Sequence, residues 1–174
     1  MKKLFVVFFI LFAVVVSTSC NGFEVPTTGS ASEIAEQSLK IFEGLRLKVY
    51  EDVGGTKTIG YGSTKKSLVA KGTVTEAEAL EQLRVDITAC QKAVDDSVTV
   101  ELNAWQKAAL ISFVYNVGGA AFRSSTLLKE LNAGNYDKVP AQLRRWIYSK
   151  GKIVDGLKNR RENEILLWNY KPEK

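Results

Sequence analysis

The stretch ELNAWQKAALISFVYNVGGAAF, residues 101–122, constrains the fold more than any other. Leu102, Trp105, Ala109, Ile111, Phe113, Val114 and Val117 would put apolar side chains on nearly every side of a helix, and such a helix is stable only when other elements enclose it. The sequence therefore predicts a central buried helix, stopped by Gly118 and Gly119. A chain of 174 residues, 45% hydrophobic and 25% charged, has the material for one domain around such a core.

Helical patterns also dominate the flanks. Ser30 and Glu33 read as the cap of a first helix with Ile34, Leu39 and Phe42 on its apolar side, ending near Gly44 and Leu45. Thr75 and Glu78 form a second capping box, followed by Leu80, Leu83, Ile87, Cys90 and Val94 at helical spacing. That spacing predicts a buried Cys90 thiol acting as a small hydrophobe, with a disulfide to Cys20 as the other reading. Further helices are expected over 126–132, 139–148 and 157–168. Between the first two helices the texture changes: residues 49–62 alternate around Gly54 and Gly55 as in a hairpin. Residues 65–74 read as a loop or a third strand.

The N-terminus has the layout of an export signal. Lys2 and Lys3 precede the apolar run Leu4–Val16, and Ser17, Thr18, Ser19 and Cys20 follow. A stable membrane span needs roughly 20 apolar residues, more than this run supplies. Residues 1–20 are thus expected to be a signal, 21–32 a flexible tether, and 33–174 the folded domain. Cys20 after small residues resembles a lipoprotein signal, although Ser17 stands where such signals carry an aliphatic residue, and ordinary cleavage fits as well. The formal charge is +5, and without Lys2 and Lys3 the excess falls to +3, too little to argue for nucleic acid. The two cysteines make no metal motif.

One pair of acidic residues stands out by its surroundings. Glu43 lies at the expected end of the first helix, Asp52 nine residues on in the hairpin, and Thr58 six further, so the two carboxylates would face each other across a cleft. Glycoside hydrolysis uses such a pair, one group to protonate the leaving oxygen and one to hold water or attack the sugar, with no need of histidine, which this chain lacks. Taken alone, the spacing names no reaction, because carboxylates are common on solvated surfaces.

The motifs EGLRLKVYED, TIGYG, GTVTEAEA, QKAALISFVYNVGGAAF with STLLKELNAG, and GLKNRRENE together resemble the phage-type lysozymes, glycoside hydrolase family 24, in the lambdoid phage branch. The resemblance runs from about Ser32 to Trp168. It implies an α+β, mostly helical fold, with a small β-hairpin lobe and a larger helical lobe flanking a glycan cleft. It further implies cleavage of the β-1,4 bond between N-acetylmuramic acid and N-acetylglucosamine in peptidoglycan. Glu43 matches the family's general acid, Asp52 its second carboxylate and Thr58 its threonine, and the reaction is described as inverting, with water held by the last two. A proton donor near neutral pH calls for partial desolvation of Glu43.

An arginine in GLKNRRENE approaches the glutamate in relatives. Arg160 is the matching position and Arg161 the weaker one, a solvated helix face being the plain alternative for both. Ser63 stands where some relatives carry histidine. The apolar run is shorter and poorer in Gly and Ala than the membrane segments of the family's signal-anchor-release endolysins. No metal or organic cofactor is implied, and the partner expected is the peptidoglycan strand, met by an exported monomer that is periplasmic, secreted or held to the membrane by an N-terminal lipid or an uncleaved signal. A catalytically silent peptidoglycan-binding protein that keeps the cleft is the alternative from another class.

Overall fold

The computed structural model describes residues 22–51 and 55–172. Asp52 lies outside the described residues, as do Cys20 and the whole expected export signal.

Helix α1 (Ala31–Glu43) starts where the sequence says it should. The Ser30 hydroxyl accepts the Glu33 amide, and the Glu33 carboxylate accepts the Ser30 amide at 2.8 Å. It ends because Gly44 takes a φ of 65°, leaving Glu43 as the last helical residue. Strands β1 (Arg46–Glu51) and β2 (Lys57–Gly60) form the expected antiparallel hairpin, with Tyr50 opposite Thr58 and an irregularity between Arg46 and Tyr50. The segment read as a loop or a third strand is a single helical turn, α2 (Lys66–Val69). Beyond it residues 72–74 pair with β1: Thr73 lies opposite Lys48, Val49 N–H donates to the Gly72 carbonyl at 3.1 Å and Val74 N–H to the Leu47 carbonyl at 2.9 Å.

Helix α3 (Glu76–Asp95) opens on the Thr75 capping box and leads to α4 (Ala104–Val117). A third capping box, Asn103 with Gln106, starts α4. Ala108, Ala109, Leu110, Ile111 and Phe113 of α4 are fully buried, and α8 (Asp155–Asn169), α1 and α3 pack around them. Short helices α5 (Gly119–Arg123), α6 (Thr126–Asn132) and α7 (Val139–Leu143) complete the larger lobe. The helix expected over 139–148 therefore stops early. Its last residues enter a small hairpin of β3 (Tyr148–Ser149) and β4 (Lys152–Ile153), turned at Lys150 and Gly151, both at positive φ.

Two expectations are corrected here. The expected flexible tether is a docked strap over its middle: Phe23 and Val25 are buried, and the Pro26 carbonyl accepts the Trp105 indole N–H at 2.7 Å. The folded unit thus starts ahead of residue 33. Cys90 is half-buried rather than enclosed, lies at the wall of a cavity, and carries a free thiol that burial pushes up to about 11. Among the described residues no helix is long and apolar enough to cross a membrane.

Candidate active site

Glu43 owes its position to the end of α1. A helix that stops at a glycine leaves its final side chain at the lobe boundary, where β1 begins two residues later. Oε1 of Glu43 accepts a hydrogen bond from Arg160 Nη1 at 2.5 Å. Oε2 faces Gly62. A Cβ at that glycine would stand 2.8 Å from this oxygen, and the φ of 81° is one that side chains rarely adopt. Glycine at position 62 is therefore what lets the chain after β2 pass against the carboxylate.

Arg160 is held on every polar edge. Nη2 donates to the Ser112 carbonyl at 3.0 Å, Nε reaches Glu164 Oε1 at 3.3 Å, and the Phe42 ring lies under the guanidinium with its centroid 5.5 Å away. Neither arginine is a solvated helix face: Arg160 is 7% exposed and Arg161 0%. They separate in role, because Arg161 turns away from Glu43, donates to Glu164 Oε1 at 2.8 Å and stacks on Phe113. Glu164 is wholly enclosed and also accepts the Ser112 hydroxyl at 2.8 Å. Burial drives its carboxyl pKa upward, against the pull of the two guanidinium groups.

Thr58 sits in β2, buried, and its hydroxyl donates to the Thr56 carbonyl at 3.0 Å. That bond uses the hydroxyl's proton and leaves its lone pairs to accept. The geometry of Asp52 relative to Glu43 and Thr58 falls outside the described residues.

Two open cavities adjoin the Glu43–Arg160 pair. One of about 620 Å³ is lined by Gly62, Ser63, Gln82, Asp86, Cys90 and Tyr115, among others. The second, of about 860 Å³, is lined by Phe42, Arg160, Asn116, Trp146 and Tyr148, among others. Gly62, which the Glu43 carboxylate faces, lines the first cavity, and Arg160, which bonds that carboxylate, lines the second.

The first cavity contains a group the sequence reading missed. Gln82 donates to Asp86 Oδ1 at 2.8 Å and accepts from Lys65 Nζ at 3.0 Å, and Ser63 also bonds the Asp86 carboxyl. Burial raises the Asp86 pKa against these bonds. Tyr115 donates to the Tyr61 carbonyl at 2.6 Å, and its phenol is pushed far up, first by burial and then by the charge of Glu43. The sequence offered only the i, i+4 pair Gln82 and Asp86 beside the apolar stripe of α3, a spacing equally at home on a solvated helix face. Among the described residues no three His, Cys, Asp or Glu side chains gather as metal ligands.

A family profile described as Phage lysozyme matches residues 40–164. A protein named SAR-endolysin from Bacteriophage PS119 is 42% identical over 128 residues, covering 72% of this chain and 77% of that one. Another SAR-endolysin, from Escherichia phage Mu, is 37% identical over 143 residues, covering 82% and 83%. Among solved structures, a mutant of P22 lysozyme superposes with a TM-score of 0.68 at 34% identity, covering 81% of this chain and 99% of that one. The muramidase domain of SpmX from Asticaccaulis excentricus does so with a TM-score of 0.72 at 28% identity, covering 83% and 100%.

Proposed function

The chain belongs to the phage lysozyme family, and from that premise we propose which of its residues carry the reaction. The protein is a lysozyme, an enzyme that hydrolyses peptidoglycan, as the endolysins and muramidases related to it are named for. In our reading Glu43 is the general acid of that hydrolysis. The observation behind this is the asymmetry of its carboxylate: Arg160 holds Oε1, while Oε2 lies against Gly62 at the wall of an open cavity. One oxygen is fixed by the guanidinium, and in this reading the other gives its proton to the glycosidic oxygen.

Asp52 and Thr58 complete the reading as the pair that holds water on the far face of the sugar. With water as the attacking group the product is inverted, whereas a carboxylate that attacked directly would stand about 5 Å from the acid. Arg160 is the orienting residue. Glu43→Gln is expected to lower wall hydrolysis by at least about 10²-fold with the fold intact, since general acid catalysis contributes about 10² to 10⁴. Turbidity loss of purified walls measures it, and a variant keeping more than a tenth of the activity overturns the assignment, leaving a protein that binds the wall without this acid. Proton NMR of fresh product should show the α-anomer first. The β-anomer would make Asp52 a nucleophile instead.

Export belongs to the same reading. Relatives of this chain are named SAR-endolysins, and the basic and apolar start of the sequence would carry the hydrolase unit, which we take to begin at the strap, across the inner membrane to the wall. Cys20 is the residue on which a lipid would sit. Clickable fatty-acid labelling of wild type and Cys20→Ala, with the mass of the mature N-terminus, separates the cases. Label lost in the variant means a lipoprotein, no label with a shortened chain means free secretion, and an intact Met1 means an anchor.

A further inference from the structure

Phe23 lies outside the segment matched to the lysozyme family, in a stretch whose composition reads as linker, yet it is 1% exposed. Its ring packs on Phe42, with centroids 5.2 Å apart and a tilt of 45°. Phe42 immediately precedes Glu43, and Arg160 sits over its ring at 5.5 Å before bonding Glu43. Phe23, Phe42, Arg160 and Glu43 are therefore one continuous stack, and the first three line the same 860 Å³ cavity. The strap that carries Phe23 is pinned at its other end by Val25 in the core and by the Trp105 bond to Pro26.

We propose that Phe23 is a positioning residue for hydrolysis: by backing the Phe42 ring it sets the level of the Arg160 guanidinium, and so the direction in which Glu43 presents Oε2. Phe42 is half-buried at the edge of the core and adjoins Ile41, which is 61% exposed, and the Phe23 ring of the strap packs directly on it. Arg160 is tied along its polar edges to Ser112 and Glu164, but those bonds do not fix its height along the stacking direction. The Phe42 face does that, through dispersion and the attraction of a cation to a π-system. A shift of about 1 Å in a catalytic group can cost 10²-fold in rate, so a loosened ring need move little to be felt.

The proposal rests on the reading of Glu43 as the acid, and the test keeps the two apart. Phe23→Ala is compared with Phe23→Leu, which refills most of the space, and with Val25→Ala, which thins the same strap away from the ring stack. With soluble glycan oligomers, kcat of Phe23→Ala should fall about 5- to 20-fold with KM within about twofold. Phe23→Leu should recover most of the loss, and Val25→Ala should lower the melting temperature while keeping kcat. In parallel, the Arg160 Nε–H signal, identified by its loss in Arg160→Lys, should shift or broaden in Phe23→Ala alone. A folded Phe23→Ala with wild-type kcat and an unmoved Arg160 signal overturns the proposal, as does an equal loss of kcat in Val25→Ala. If Glu43→Gln stays active, the acid assignment fails by itself, while the Arg160 signal still reports whether the strap sets the ion pair.

Discussion

Helices α4 and α8 pack against each other but bring opposite chemistry to the contact. From α4 come Ala108, Ala109, Leu110, Ile111 and Phe113, all fully enclosed, with Ser112 as its one buried polar residue. From α8 come Ile165, Leu167 and Trp168, and with them Arg160, Arg161, Asn163 and Glu164. Apolar burial of the first kind stabilises by roughly 25 cal/mol per Å² taken from water. Charges of the second kind cost several kcal/mol each to desolvate, and their mutual attraction returns that only when every polar atom is satisfied. Here Arg161 Nε and Nη1, Glu164 Oε2 and Asn163 Oδ1 find no partner among the described residues. Helix α4 is thus built for stability, whereas the charged stretch of α8 is tolerated by that stability and serves to deliver Arg160 to Glu43.

That contrast can be broken by separating the two costs. Glu164→Leu alone strands the Arg161 guanidinium without its carboxylate, and urea unfolding should record a loss of about 3–5 kcal/mol, the largest expected effect. Ile111→Ala, an apolar deletion on the facing helix, should cost about 2–5 kcal/mol by leaving a cavity, with activity per folded molecule unchanged. Combining Arg161→Met with Glu164→Leu should bring stability back to within about 1 kcal/mol of wild type, because an apolar pair of similar volume replaces a buried ion pair. The same double variant should remain impaired in wall hydrolysis, since Arg160 has lost its second carboxylate. If it is as unstable as Glu164→Leu, the charged face of α8 is itself a source of stability and the contrast fails.

Asp86 of α3 sharpens the comparison as an intermediate case, half-buried at the cavity wall. Its raised pKa means that the folded protein keeps this proton to higher pH than the unfolded chain does. The associated stability is therefore complete below the ordinary aspartate range and is lost as pH rises through the folded-state pKa. Asp86→Asn should flatten that fall in unfolding experiments run from acid to neutral pH. The change should be a fraction of that seen for Glu164→Leu, because solvent still reaches the group.

Much of this was legible in the sequence, for identifiable reasons. Helices α1 and α3 announce themselves by local capping boxes, α4 by its all-round apolar character, and the β1–β2 hairpin by alternation around glycines. These are signals written within four residues of where they act. Glu43 at the end of α1 follows from Gly44, and its proximity to Arg160 entered through likeness to a family rather than through any local pattern. The early end of α7 was not legible, because the β3–β4 turn at Lys150 and Gly151 competes with a run of residues that would also suit a helix. Asp86 was passed over because a polar residue on a mostly exposed helix has no local mark that it faces a cavity.

What the sequence determined by itself is the set of elements and the chemistry available to them: a buried apolar helix, a glycine-bounded hairpin, a glutamate at a helix end, and no histidine. The tertiary structure alone decided which charges are buried and which linker residue belongs to the core. Arg160, Arg161 and Glu164 look like any solvated helix face in one dimension, and Phe23 looks like an isolated aromatic in a tether. Burial is a property of what lies opposite a side chain, and what lies opposite here comes from more than a hundred residues away for Arg160 and Glu43, and from the far end of α1 for Phe23 and Phe42.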